Sequence, residues 1–282
     1  MSSRIYLAAL QRPMAVIGLA LVVLHLALAL LSPWIAPFDP TELVGGRAQA
    51  PNAEFWMGTD VLGRDFLSRL LYGGRLALLV SFTGVVIAVI AGSIVGIACA
   101  YVGGTFDAIV MRVCDVKLAI PGILFVALFV TGFGESVPVL VTLISIVYFP
   151  GVIRIVRAQA MTQIGLGYVK AAQLRGESAL AVVVREILPN TLDVVYVELA
   201  IRMSHAVLLL SAMSFLGLGI SPPTPDWGLM VAEGVGQISF APWLVALPAV
   251  FISTLVIGLN FGAEALANAL GMDAARGHAE AG

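Results

Sequence analysis

The stretch 165-GLGYVKAAQLRGESALAVVVREILP-189 is the longest basic, amphipathic segment between two strongly apolar runs. Lys170, Arg175 and Arg185 stand among the small residues Ala171, Ala172 and Gly176, and Ile187-Leu188-Pro189 closes the stretch. Wound as a helix, it brings Val169, Ala172, Leu174, Leu180 and Val183 roughly to one side, with the charges mostly elsewhere. Gly176 has no Cβ, so a bend between two short helices is expected there, open to close approach by another surface. Two readings follow from these residues: a docking element through which a partner drives motion in a membrane, or a surface helix packed on its own domain.

The rest of the chain favours a membrane. Of 282 residues, 60% are hydrophobic and only 11% charged, and the mean hydropathy is +1.02. A soluble domain of this length carries about 25% charged residues. The solvent of this chain is therefore mostly lipid, and an all-α integral membrane protein is expected. A formal net charge of −2 with no basic tract excludes nucleic-acid binding. Cys99 and Cys114 fall in or beside apolar runs, far from other ligand-type residues, and make neither a metal motif nor a disulfide framework.

Working outward gives about six spans. Residues 1–13 carry Arg4 and Arg12 and lead into a first transmembrane helix at 14–36, too long for the apolar core of a signal peptide. Pro33, Pro37 and Pro40 end it, and a polar segment runs over 37–75. Within that segment, Thr59 or Asp60 is expected to cap an amphipathic helix lying in the membrane interface, with Asp60–Arg64 and Asp65–Arg69 paired at i,i+4. Those four charges could equally form an ordinary solvated face. A permease-like core of five further spans is expected over 76–270. The second span, Leu76–Ala100, has a seam of Gly84, Gly92 and Gly96 suited to close helix packing. The third begins with Asp107, Arg112, Asp115 and Lys117, where Arg112 is expected to reach Asp115, and is loosened at Pro121. The fourth, Val137–Val152, is broken by Pro150-Gly151 and delivers Arg154 and Arg157 to the next face. The fifth is Val194–Leu218 and the sixth Trp243 to about Ala263. Residues 271–282 form a polar tail, expected to be disordered from about Asp273.

Lysine and arginine placement orients the chain. With the N-terminus inside, Arg4, Arg12, Arg112, Lys117, Arg154, Arg157, Lys170, Arg175, Arg185 and Arg276 all lie inside. The outer side holds only Arg47, Arg64, Arg69 and Arg75, in one loop. Both termini are thus expected in the cytoplasm, together with a loop at 159–189 that includes the opening stretch.

The chemistry of an enzyme is missing. There is no GxxxxGK[ST] phosphate loop, no GxSxG, HExxH or CxxC, and His25, His205 and His278 are scattered. No cofactor is expected in this chain, and no metal site.

The opening stretch resembles the EAA loop of binding-protein-dependent ABC importer permeases, in Ala171-Ala172, Gly176 and Ile187-Leu188-Pro189. The segment Gly58-Thr59-Asp60, Gly63-Arg64-Asp65 and Leu67-Ser68-Arg69-Leu70 narrows the likeness. So do Met111-Arg112 with Asp115, Ser214-Phe215-Leu216-Gly217-Leu218-Gly219, and Pro222-Pro223-Thr224-Pro225-Asp226-Trp227-Gly228. Together, from roughly Met14 to Leu270, they look like the second, C-type permease subunit of dipeptide, oligopeptide and nickel importers.

The resemblance implies a type I ABC importer permease fold in the plasma (inner) membrane. It implies as partners a second permease, two ATP-binding subunits that hold ATP and Mg, and an extracytoplasmic solute-binding protein. It assigns ATPase coupling to Tyr168, Lys170, Ala171, Ala172, Gly176, Glu186, Leu188 and Pro189. Two positions depart from the family pattern: Lys170 replaces a glutamate and Glu186 a histidine, so a partner ATPase with compensating charge is expected. Ala171, Ala172 and Gly176 would offer a smooth surface to a groove in that ATPase. On this reading Gly176→Glu or Ala172→Asp leaves membrane insertion intact and abolishes transport.

In the fifth span Glu198, Arg202 and His205 share one helix face at i, i+4 and i+7. Ionisable groups at membrane depth are costly and face a bundle interior or a wet cavity. They are candidates for the translocation path, against a purely structural pair joining two helices. The family prior favours a peptide or peptide-like solute over nickel. A different class, the self-contained secondary transporter with Glu198 and Arg202 as an ion relay, would transport without any ATPase.

Overall fold

The computed structural model describes residues 13–270. The expectations for residues 1–12 and for the tail at 271–282 lie outside the described residues. Among those described, the fold is helical throughout, with two isolated antiparallel bridges, Leu43 to Arg64 and Thr59 to Asp65. Among the described residues five helices are long and apolar enough to cross a bilayer, and a sharply bent pair makes up to six.

Helix α1 (Pro13–Ile35) is an uncharged apolar run that opens on proline, tolerated in a first turn where no intrahelical donor is needed. Helix α2 (Phe66–Val102) starts ten residues before the expected second span. The carboxylate of Asp65 accepts the Ser68 amide at 2.7 Å and caps it. At 37 residues it is roughly 55 Å long, more than a bilayer core requires. Gly103, at φ 65, ends it and returns its N–H to Cys99.

The glycine seam of α2 receives α5 (Val137–Ile164). A Cβ on Gly84 would stand 2.7 Å from Ile144 Cγ2, one on Gly92 2.8 Å from Val152 Cγ1, and one on Gly96 2.8 Å from the Ile153 carbonyl. The two helices therefore run parallel with backbones in close approach. Helix α5 is not broken at Pro150-Gly151 as expected. It continues to Ile164, since packing against α2 on one side and Arg202 on the other holds the proline turn in place.

Between them the chain forms α3 (Gly104–Ala119) and α4 (Gly122–Phe133), bent by 91° at Ile120-Pro121. Proline forces the preceding residue out of the helical region, and Ile120 is extended at ψ 122. Arg112 makes no pair with Asp115 here. Asp115 meets Arg154 and Asp107 meets Arg157, which ties α3 to α5.

After the opening stretch, α8 (Leu188–Phe215) returns through the bundle, α9 (Trp227–Val235) dips into its end, and α10 (Trp243–Ala269) packs antiparallel to α1. The α1–α10 crossing is again tight: a Cβ on Gly18 would lie 2.7 Å from Phe261 Cβ. Residues 165–187 thus lie at one end of the bundle. Residues 37–65 and α9 lie at the other.

Candidate functional site

At the end formed by residues 165–187 the chain makes α6 (Gly167–Leu174), a turn at Gly176, α7 (Ala179–Val182), and a π-helical turn over Val183–Ile187 that runs into α8. Gly176 sits at φ +76 with nothing within 4 Å of where a Cβ would be. It is the expected bend, and glycine is there for backbone conformation rather than space. Ser178 caps α7 through the Ala181 amide.

The expected apolar side is split. Val169, Ala172, Val182 and Ile187 are fully buried against the bundle, whereas Leu174 is 89% and Leu180 73% exposed. Leu174 follows Val169 in the same short helix but is turned roughly 140° around its axis, and Leu180 comes after the left-handed glycine, where the helical register is lost. Ala172 consequently faces inward and is no part of an outer surface. Its neighbour Ala171 is exposed, as are Lys170, Arg175 and Arg185.

Other assigned residues are locally tied. Tyr168 donates its hydroxyl to Gln163 Oε1 at 2.7 Å, and Arg175 pairs with Glu177 at 2.6 Å. Burial and the neighbouring Glu186 push the Tyr168 phenol above its ordinary value. Glu186 and Leu188 are half-buried, and Pro189 is exposed in the first turn of α8. Leu180 borders an apolar cleft of about 630 Å³ between α2 and residues 179–195, which also meets Ile90, Ile94, Tyr101 and Val184.

The opposite end is different. No interfacial helix forms over residues 58–65, and of the two expected pairs Asp60–Arg64 forms and Asp65–Arg69 does not, with none of the four charges solvated. Asp60, Arg64, Asp65 and Arg69 are all at most 3% exposed. Asp60 Oδ1 accepts the amides of Leu62, Gly63 and Arg64 at 2.8–2.9 Å, while its Oδ2 binds Arg64 Nε at 2.5 Å and also Arg69 Nη1. Both guanidiniums continue to Glu233 on α9. Arg64 Nη2 bonds its carboxylate at 3.2 and 3.3 Å. Arg69 Nη2 lies 2.9 Å from Oε2, off the hydrogen-bonding direction. Asp65 does not pair with Arg69, because capping α2 uses its carboxylate. Sequence spacing found the Asp60–Arg64 pair but could not find Glu233, 169 residues beyond Arg64.

Trp227 fastens the same end. Its ring covers Gly73 and Gly74, where a Cβ would lie 2.6 Å from the indole, and its Nε1 donates to the Leu70 carbonyl at 2.8 Å. His25 and Phe251 meet it edge-on, at centroid distances of 5.8 and 5.6 Å. His25 Nδ1 lies 2.8 Å from the Leu21 carbonyl, so this histidine is a satisfied core residue. Asp226 caps α9 through the Leu229 amide at 3.1 Å, and burial pushes its carboxyl up to about 6.

Within the span, Glu198 and Arg202 pair as expected, with Nε and Nη2 at 3.0 and 2.9 Å from Oε2. His205 is exposed and joins neither. Lys117 was missed as a neighbour of this pair: it reaches the Val147 carbonyl at 2.6 Å, one helical turn of α5 from the Gly151 that touches Arg202. No group of three or more His, Cys, Asp or Glu among the described residues could hold a metal ion.

Comparison with known proteins agrees with this architecture. The family model described as binding-protein-dependent transport system inner membrane component matches residues 84–271. A second, the N-terminal TM domain of oligopeptide transport permease C, matches residues 8–54. The chain is 37% identical over 265 residues to the di/tripeptide transport system permease protein DppC of Pseudomonas aeruginosa, covering 90% of this chain and 86% of that protein. It is 35% identical to the dipeptide transport system permease protein DppC of Haemophilus influenzae, covering 91% and 89%. Identity to the dipeptide permease protein of Escherichia coli K12 is 37%, covering 91% and 88%. A multi-pass helical bundle bearing these motifs in this order thus belongs to the family of inner membrane components of binding-protein-dependent transport systems.

Proposed function

We propose that this chain is the C-type permease subunit of an ATP-driven importer of peptides or peptide-like solutes. It forms half of the translocation path beside a second, different permease. Two cytoplasmic subunits bind ATP and Mg and supply the work, and an extracytoplasmic binding protein delivers the solute. The chain is a transport subunit and not an enzyme. The names of these three relatives, di- or tripeptide permeases, favour a peptide over nickel.

Residues 165–187 are the coupling element in this reading, with both termini in the cytoplasm. The observation that carries it is the exposed Leu174, beside Ala171, Lys170 and Arg175, on a platform held rigidly by Val169, Ala172 and Val182. Leu166, Leu174 and Leu180 are all exposed at this end, and apolar side chains gathered in water among basic ones suit a protein partner. A rigid base under a contact surface transmits displacement instead of absorbing it.

The test uses the whole transporter in vesicles, with peptide uptake and binding-protein-stimulated ATPase activity measured together. Leu174→Asp is expected to lower both at least tenfold while the assembled chain remains as abundant and as stable as before, because Leu174 packs on nothing. Unchanged uptake with Leu174→Asp would remove residues 165–187 from the coupling role.

A further inference from the structure

Three ionisable side chains meet halfway along the spans. Val147 and Gly151 lie near the middle of α5, and Arg202 near the middle of α8. Lys117, from the last turn of α3, donates to the Val147 carbonyl at 2.6 Å, with its ammonium 5.5 Å from the centroid of the Phe125 ring. The Arg202 guanidinium stands 5.7 Å over the Tyr148 ring and presses on Gly151, where a Cβ would be 2.8 Å from Nη2. Any residue but glycine at 151 would displace it.

The charges do not balance. Among the described residues Glu198 is the one carboxylate paired with these two cations, and it uses the Nε–Nη2 edge of Arg202. Asp107 and Asp115 are taken by Arg157 and Arg154. Asp193 stands nine residues before Arg202 on α8, roughly 13 Å along the helix axis. The excess positive charge is also on the accessible side: the Glu198 side chain is 8% exposed and that of Arg202 19%, with Lys117 half-buried. An unbalanced cation at mid-bilayer is costly against lipid and is retained where it faces water or an anion. A guanidinium edge beside an ammonium, in a site of low dielectric, suits a carboxylate.

We propose that Lys117 and Arg202 form a mid-membrane relay site for the carboxylate of the passing solute, with Glu198 holding Arg202 in place and Gly151 making room for it. The proposal rests on the reading of this chain as a permease, and adds to it the charge that the path selects.

A reporter less than one turn beyond Arg202 on the same helix tests it without requiring transport. His205→Cys places an exposed thiol in line with Glu198 and Arg202, while Cys99 and Cys114 are buried. In membranes containing the whole transporter, labelling by an anionic sulfonatoethyl thiosulfonate and by its cationic trimethylammonium counterpart is compared, each normalised to its rate with a free thiol. The anionic reagent is expected to react at least fivefold faster. Lys117→Gln and Arg202→Gln should each bring the ratio towards one, while Lys117→Arg and Arg202→Lys should preserve it. A free dipeptide should slow the anionic reagent more than the same dipeptide with an amidated C-terminus. A ratio of one in the otherwise unaltered chain, labelling by neither reagent, or a ratio indifferent to both glutamine substitutions would overturn the proposal. Because the ratio is read without ATP, failure of the coupling role leaves it measurable, and its own failure leaves uptake and ATPase coupling intact.

Discussion

The two ends of the bundle treat charge in opposite ways. At one end Asp60, Arg64, Arg69 and Glu233 are drawn inward and pair with one another across two segments. At the other, Lys170, Arg175 and Arg185 stand in the open beside an uncovered leucine. Both ends carry motif residues, but their physical roles differ. The closed end joins the segment before α2 to α9, and its charges have their partners within the chain. The open end leaves surface that this chain cannot cover.

The sharpest way to break this contrast is to open the closed end. Arg69 is fully buried, and Arg69→Ala would leave Asp60 and Glu233 to share Arg64, with one buried negative charge uncompensated. Loss of one partner from a buried charge network costs about 3–5 kcal/mol. The variant is expected to accumulate poorly in membranes and to unfold at markedly lower temperature in detergent. Wild-type accumulation would mean that the network is incidental.

Next comes the inward side of the open end. Ala172 is fully buried, so Ala172→Asp forces a carboxylate or an unpaired acid against the bundle, at a cost on the order of 2–4 kcal/mol. The substitution should lower thermal stability, unlike Leu174→Asp two residues on. From the sequence, Ala172→Asp is expected only to leave membrane insertion intact and abolish transport; the burial of Ala172 adds a loss of stability. Equal stability of the two variants would erase the distinction between platform and surface.

A smaller effect belongs to Asp226, whose carboxyl burial raises to about 6 from an ordinary 3.8. The folded chain then binds a proton between those values that the unfolded chain does not. Stability should therefore rise as pH falls through 6 and level off below about 3.8. Asp226→Asn keeps the shape, removes that pH dependence, and is expected to stabilise the chain by about 1 kcal/mol at pH 8. Thermal unfolding at pH 5 and pH 8 measures both. The least change is expected for Asp115→Asn. Its pair with Arg154 is nearly half exposed on both sides, and such pairs contribute about 0–1 kcal/mol.

Much of this was readable along the chain. An uncharged run the length of α1 has no other stable home than lipid. Glycines at 84, 92 and 96 repeat at multiples of four, so they line one face of any helix, and α5 lies on that face. Gly176 marked the bend because glycine adopts positive φ without a Cβ penalty. What failed was inference through interruptions. Leu180 was placed with Val169 by carrying one helical phase across Gly176, and Leu174 although the intervening residues of helix turn it roughly 140° away. Residues 58–65 were wound into a helix because Asp60–Arg64 fits i,i+4, yet the same spacing is met in a loop whose amides Asp60 collects.

Sequence alone determined the kind and approximate number of apolar spans, the small-residue seams and the bends at Pro121 and Gly176. Each depends on the side chains and backbone preferences of a few consecutive residues. Only the tertiary structure decided that Glu233 would answer Arg64 and Arg69, that Lys117 would arrive beside Arg202, and that Ala172 would turn inward while Leu174 turned out. Those outcomes depend on which helices lie side by side and in what rotation, set by packing between segments far apart in the chain.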